Sequence, residues 1–233
     1  IEKLREVDQI REEMDHELDE AGVVAFPEVD VVSDFESGVL DVAQANGIAG
    51  LHANTVMFGW SRRKERLESQ LRIMRAMSHA RKNTIITRLN WAHEPGREKR
   101  IDIWWGGLQN NGDLMLLLAY LLRLNPGWRD AKICVRSVAR DEEERKLQLD
   151  GLAKLLPEAR IGAETEVLVK PDELTITEIL HRISANADVV FLGLQEPEVG
   201  SEAAYAERII ELASGLNTCI FVRSASEFAG RLI

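Results

Sequence analysis

The sequence predicts an α/β protein of two lobes, each on a mainly parallel, doubly wound sheet, with the first lobe incomplete. Three observations lead there. The second half alternates short apolar runs with stretches of helical period, giving five strands and four helices. Its strand-like runs are continuously apolar, as expected of strands covered on both faces. The third is residues 100–124, RIDIWWGGLQNNGDLMLLLAYLLRL, which read as one buried strand, a glycine-rich turn and one buried helix. Repeated strand–helix units of this kind close into parallel sheets through right-handed crossovers.

In chain order, residues 1–20 read as a helix, with Leu4, Val7, Ile10, Met14 and Leu18 near helical spacing and Gly22 ending it. Residues 23–32 read as an extended segment broken by Pro27. Ser33 and Glu36 form a capping-box pattern, opening a helix that stops at Asn46 and Gly47. Residues 54–60 (NTVMFGW) and 83–89 (NTIITRL) are strand-like. Between them lies a helix over 62–82, with Leu67, Leu71, Met74 and Met77 toward one face. This half has the βαβαβ grammar of the second but starts late in it. Residues 95–99 around Pro95 and Gly96 make the best linker in the chain, so the lobes are expected at 1–94 and 100–233.

The second lobe is cleaner. Strands are expected at 101–105, 132–138, 165–169, 188–194 and 217–222. A helix over 113–124 is stopped by Asn125-Pro126-Gly127, and one over 142–156 by Pro157. Thr175 and Glu178 make a second capping box, with Ile176, Ile179, Leu180 and Ile183 inward. Ser201 is placed to cap a helix that ends at Gly215.

Composition narrows the function classes. The 233 residues carry a formal net charge of -10, which argues against nucleic-acid binding in bulk. The first twenty residues are charged throughout, unlike a signal peptide. The longest apolar run, 114–122, falls short of the roughly 20 residues that span a bilayer, so the chain reads as a soluble, cytosolic piece. Cys134 and Cys219 sit inside apolar runs and read as buried, reduced thiols without metal-binding spacing.

Candidate chemistry is sparse. The turn Gly106-Gly107-Leu108-Gln109-Asn110-Asn111-Gly112 would lie at the carboxyl edge of the sheet, where ligands bind. Backbone N–H groups at a helix start can hold phosphate there. It is neither a GxGxxG pattern nor a P-loop, and a tight turn with a polar cap is the preferred reading. The turn over 193–200 (GLQEPEVG) faces the same edge, and its carboxylates would repel a triphosphate unless a cation intervened. Trp104 and Trp105, adjacent in a strand, point to opposite faces and read as core. Asp102 in the same strand needs hydrogen bonds or a charged partner if buried. His16, His52, His79, His93 and His181 are scattered, and no GxSxG, HExxH or Ser/His/Asp arrangement occurs. No catalytic, cofactor-binding or metal-binding residue is therefore assigned, and no enzyme is expected.

Charge segregation says more. Arg62, Arg63, Lys64, Arg66, Arg72, Arg75, Arg81 and Lys82 face only Glu65 and Glu68 within their helix, while residues 1–20 are strongly acidic. The two helices are solvated faces, or face each other within a chain or across a dimer; the basic helix could instead meet anionic lipid or a partner's acidic loop. The helix over 113–124 is apolar nearly all round and needs cover on more than one side, which motivates a homodimer or tight lobe-to-lobe packing.

Four stretches resemble a known family. RIDIWWGGLQNNGDLMLLLAYLLRLNPGWRDAKICV is similar to the start of the second lobe in the cytoplasmic C-terminal domain of cation-chloride cotransporters, of the amino acid-polyamine-organocation transporter superfamily. VVAFPEVDVVSDFESGVLDVAQANGIAGLHANTVMFGW resembles that family's first-lobe segment. DVVFLGLQEPE and NTCIFVRSASE resemble late strands of its second lobe.

The resemblance implies a soluble regulatory domain on the cytoplasmic side of the cell membrane, following a twelve-helix transporter that moves chloride with potassium or sodium. It implies two lobes related to universal stress proteins, homodimerisation, and ion sites in the membrane part rather than here. The family's first lobe usually begins with a further strand and helix. The short connection near Pro95 departs from the long phosphorylated inserts of the animal proteins and points to a prokaryotic transporter. The Gly-x2-Gly-x9-Gly-Ser/Thr nucleotide motif of universal stress proteins is not matched around Gly193 and Gly200. The alternative is a free-standing nucleotide-binding protein of the universal stress type.

Overall fold

The computed structural model describes residues 2–45, 47–48, 51–93, 99–106, 111–158 and 161–225. They fall into two compact units, Ile1–Val42 and Ala43–Ile233. Among them, no helix is long and apolar enough to cross a membrane.

In the first unit, α1 (Glu2–Ala21) ends in a left-handed glycine. Gly22, at φ +61°, donates to the Asp19 carbonyl at 3.1 Å, and Val23 donates to Leu18 at 3.0 Å. This paired closure needs a positive φ, which a side chain would strain. Helix α2 (Phe35–Ala45) starts differently from the Ser33 and Glu36 pattern. Asp34 is the capping residue, accepting from the Ser37 N–H at 3.0 Å and from the Ser37 hydroxyl, whose bond holds its carboxyl below the ordinary value. A carboxylate next to four unpaired N–H groups accepts better than a hydroxyl one position earlier.

The second unit opens with a small antiparallel pair, β1 (Gly47–Ile48) and β2 (Leu51–His52). Its core is a seven-stranded sheet. The strands are β3 (Thr55–Gly59), β4 (Asn83–Arg88), β5 (Arg100–Trp104), β6 (Lys132–Ala139), β7 (Glu164–Val169), β8 (Val189–Gly193) and β9 (Thr218–Arg223). Their order is β3-β4-β9-β8-β5-β6-β7. Within this sheet every pairing is parallel except β4 with β9. The expected α/β class and mainly parallel sheet are thus found, and strands from before and after residues 94–98 share one sheet. The linker at Pro95 and Gly96 lies outside the described residues.

Two layers of helices cover the sheet. Helices α4 (Gly112–Leu124) and α5 (Glu142–Glu158) bury Leu114, Met115, Leu116, Ala119, Leu152 and Leu156 against Ile101, Ile103, Ile133, Val135, Val189 and Phe191. Each of these side chains except Ala119 stabilises by about 1.5–3 kcal/mol relative to exposure. The alternate residues of the strands face α6 (Ile176–Ser184), α7 (Glu202–Ala213) and α3 (Lys64–His79). Phe221, on that second face, stacks on Trp60 with centroids 5.6 Å apart.

Local signals fared unevenly. Thr175 and Glu178 form the full box: Glu178 N–H donates to Thr175 Oγ1 at 3.2 Å and Thr175 N–H to Glu178 Oε2 at 2.8 Å. Ser201 does not cap α7; its hydroxyl donates to the Glu198 carbonyl at 2.8 Å, and Glu202 accepts from the Gly200 N–H instead. Pro157 lies inside the last turn of α5 rather than ending it.

Asp102 sits on β5, an interior strand of the sheet, on the α6 face, with 0% of its side chain exposed. Arg100 holds it with two bonds of 2.9 Å, and Ser184 donates to it at 2.7 Å. Arg136 Nε lies 3.0 Å away but off the hydrogen-bonding direction, so it contributes as an ion pair. Trp104 Nε1 donates to the same Ser184 hydroxyl at 2.9 Å. A buried charge survives only with such partners. Asp102→Asn leaves buried Arg136 under-compensated and is expected to cost about 3–5 kcal/mol in urea unfolding; a loss below measurement error would show the carboxylate to be dispensable.

Candidate functional site

A parallel sheet offers a crevice where its winding reverses, because the loops on either side diverge there. Here the chain goes from β5 outward to β6 and β7, then returns to β8 on the other side of β5. Above the carboxyl ends of β5 and β8 lies a cleft of about 830 Å³, lined by both tryptophans, Asn111, Arg140, Glu144, Gln195 and Arg208 among others. The sequence placed a ligand edge here, with Gly193 on it; Trp104 and Trp105, read from the sequence as core, also line the cleft. Of the glycine-rich turn, residues 107–110 lie outside the described residues.

The walls are fixed by short polar ties. Asn111, just before α4, is buried; its Nδ2 donates to the Leu194 carbonyl at 2.9 Å and its Oδ1 accepts from the Ser224 N–H at 2.8 Å. One amide thus pins the start of α4 to the ends of β8 and β9. Gly193 allows this, since a Cβ there would lie 3.0 Å from Asn111 Nδ2. The Trp105 carbonyl accepts from the Ser137 hydroxyl at 2.8 Å. Its indole lies on the first turn of α4, where a Cβ on Gly112 would come within 2.2 Å of the ring.

The charged residues that line the cleft are Arg140, Arg208 and Glu144, with Asp113 outside the lining. Asp113, in the first turn of α4, is buried, and that burial pushes its carboxyl above the ordinary value of 3.8. Arg140 pairs with Glu144 at 3.0 Å, and the Arg140 backbone N–H holds the Glu144 carboxyl below its ordinary value. Arg208 is exposed on α7. At the start of α4 the Trp105 indole lies against Gly112.

The acidic turn over 193–200 has its cations within the chain. Arg75 of α3 donates to the Pro197 carbonyl at 2.8 Å and to Glu202 at 2.5 Å, and lies 3.9 Å from Glu196. Arg223 lies 3.5 Å from Glu196. Backbone N–H donors and Arg75 together hold the Glu202 carboxyl below its ordinary 4.5. Lys64 pairs with Glu207 at 2.5 Å, and Lys82 donates to the Ala53 carbonyl. The basic helix is therefore partly engaged with α7 and the 193–200 turn, a pairing across more than 120 residues that composition cannot show. Arg62 and Arg63 remain exposed.

The other singled-out residues stay apart. His16 lies 3.3 Å from Glu20, His79 bonds the Arg75 carbonyl, His93 bonds Asp188 at 2.8 Å and His181 the Leu212 carbonyl. Cys134 and Cys219 are buried free thiols, raised by burial, Cys219 to about 11. They lie in one register row separated by β5 and β8, three strand spacings of about 4.8 Å, too far for a disulfide.

Comparison with known proteins adds the following. The family model for solute carrier family 12 matches residues 61–186. The chain is similar to the crystal structure of the cytoplasmic domain of a prokaryotic cation chloride cotransporter, at 19% identity and TM-score 0.65, covering 97% of this chain and 82% of that one. It is also similar to a universal stress protein from Archaeoglobus fulgidus DSM 4304, at 12% identity and TM-score 0.57, covering 96% of this chain and 78% of that one. At these identities the two structures establish the fold.

The contact of Trp105 with Gly112 can be tested by mutation. Gly112→Ala forces a methyl into the indole and is expected to cost about 1–3 kcal/mol. In Trp105→Ala/Gly112→Ala the second change should cost much less than it does alone, as read from a double-mutant cycle by denaturant unfolding. Additive losses would mean that the ring is free to move away.

Proposed function

The chain belongs to solute carrier family 12, and we propose that it is the cytoplasmic regulatory and dimerising part of a membrane protein that moves chloride together with potassium, sodium or both. The match over residues 61–186 carries this reading, and the fold shared with the cytoplasmic domain of a cation chloride cotransporter supports it. The ions would be bound and moved by the membrane part of the same polypeptide. The role assigned here is non-enzymatic. The lobe boundaries proposed at 1–94 and 100–233 draw support from the sheet, whose one antiparallel pairing joins strands on either side of residues 95–99.

Two surfaces are proposed for assembly. Helix α4 buries its inner side but leaves Leu121 and Leu124 50% and 57% exposed, which favours cover by a second copy. Arg62 and Arg63 are available to anionic lipid or to an acidic intracellular loop. The free-standing nucleotide-binding alternative is disfavoured by the indole that lies against the start of α4.

In proteoliposomes, removing this chain from the intact transporter is expected to lower the rate of chloride flux or its response to regulation. Cation dependence and apparent chloride affinity should stay unchanged. Altered ion selectivity would place the ion sites here, and low-micromolar ATP binding by calorimetry would favour the alternative.

Sedimentation tests the assembly. A dimer is expected, shifting toward monomer in Leu121→Glu/Leu124→Glu, while Arg62→Glu/Arg63→Glu should reduce binding to anionic vesicles. Monomer alone at high micromolar concentration would exclude the dimer.

A further inference from the structure

Beside the cleft lies a smaller cavity of about 120 Å³, between α7 and the strands β8 and β9. Leu192, Gly193, Gln195, Arg208 and Leu212 border both spaces. Every residue that lines the smaller one falls between 192 and 221, inside the second unit. One face of α7 supplies Tyr205, Arg208, Ile209 and Leu212, which stand three or four residues apart. Ile209 and Leu212, with Leu192 and Phe221 of the sheet, make apolar walls.

Two donors in this lining have no acceptor of their own. The Tyr205 hydroxyl accepts from the Gln195 N–H at 2.8 Å, which leaves its hydrogen to donate. Among the described residues nothing takes that hydrogen. Burial holds the phenol above its ordinary 10.0, so the hydrogen stays on at neutral pH. Arg208, one turn further along α7, has no carboxylate partner among the described residues. Its charge acts on the Tyr205 hydroxyl, so the two groups are neighbours. Arg223 also acts on that hydroxyl, but it lies 3.5 Å from Glu196 and is already engaged. Among the described residues that line the cavity there is no Asp or Glu.

This set of groups selects a ligand. A guanidinium presents a planar fork that matches the two oxygens of a carboxylate, and a phenol O–H adds a bond to one of them. One unpaired cation balances one negative charge, where a phosphate monoester would bring more. At a share of about 30 Å³ per water in the liquid, the cavity holds about four waters, or a solute of about five non-hydrogen atoms. The apolar walls favour a short alkyl tail over a second polar group.

We propose that this cavity binds a short-chain monocarboxylate, with the carboxylate on Arg208 and the Tyr205 hydroxyl and the tail among Leu192, Ile209, Leu212 and Phe221. Under the regulatory reading above, it would give the domain a small-molecule input; without that reading the site would remain.

Propionate tests this on residues 1–233, exchanged for chloride at constant ionic strength and followed by the Gln195 amide resonance. A saturable shift is expected, with a dissociation constant of roughly 1 mM, the scale for so few atoms. Arg208→Gln, at an exposed position, should weaken binding by about 10-fold or more. Tyr205→Phe should weaken it by about 5-fold. That change also takes the acceptor from the Gln195 N–H, so its melting temperature is measured alongside. If Tyr205→Phe does not fold, Arg208→Gln decides alone. No saturable shift up to about 50 mM would overturn the proposal. So would an equal response to propanol, which shares the tail but not the charge, or binding unchanged in Arg208→Gln. Failure of the transporter reading would appear in the flux experiment and leave propionate binding as it is.

Discussion

The buried carboxylate of Asp102 is the constraint around which the sheet is organised. It lies in β5, the strand flanked by β6 and β8, and its partners come from β5, β6 and α6. Arg100 also donates to the Ile183 carbonyl at 2.7 Å, near the end of α6. Arg136 in turn pairs with Glu166 of β7. One charge therefore relates three strands and a helix, and it fixes which residues of β5 face α6. A one-residue slip of β5 would turn Asp102 into the apolar layer of α4 and take it away from Arg136 and Ser184. An apolar residue would pack there with less demand on register, so the network favours one arrangement rather than adding much net stability.

The second organising contact is the antiparallel seam. A parallel strand–helix–strand unit ending in β4 and another ending in β9 leave two last strands side by side, and their six-residue strands pair. Side chains lock the same seam on several levels. Trp60 stacks on Phe221, Arg88 donates to the Leu216 and Asn217 carbonyls, and Asn83 accepts from the Ala225 N–H. Arg75 and Lys64 tie α3 to the 193–200 turn and α7. Displacing β4 and α3 relative to β9 would break all of these together.

Much of this was legible in the sequence, for identifiable reasons. Strand and helix positions in residues 100–225 follow from period and breakers, since each helix ends at a Gly, Asn or Pro signal or near one. Thr175 and Glu178 were readable because a capping box is a four-residue device. Ser33 misled because Asp34, one residue on, is the stronger acceptor at a helix start. Ser201 misled because Glu202 reaches back to Gly200, a competition that depends on the left-handed Gly200. Asp102 was recognised as needing a partner, but Arg136 and Ser184 lie 34 and 82 residues away and no local pattern names them. The pairing of α3 with α7 was missed for the same reason: charge segregation announces that partners exist, and only the fold chooses them.

The cleft illustrates how a fold's usual ligand edge can be turned to structural use. Its position follows from topology alone, because the reversal between β5 and β8 opens a crevice whatever side chains are present. What fills it is local chemistry. Gly112 lets the Trp105 ring rest on the start of α4, Asn111 ties that start to β8 and β9, and Arg140 is paired with Glu144. The Trp105 ring lies against Gly112 at the helix start, and the Asp113 carboxyl in the first turn is buried. The same residues hold together the ends of three strands and the first turn of a helix. At this edge the sheet is braced, and the surfaces proposed for partners, the outer side of α4 and the exposed start of α3, lie elsewhere.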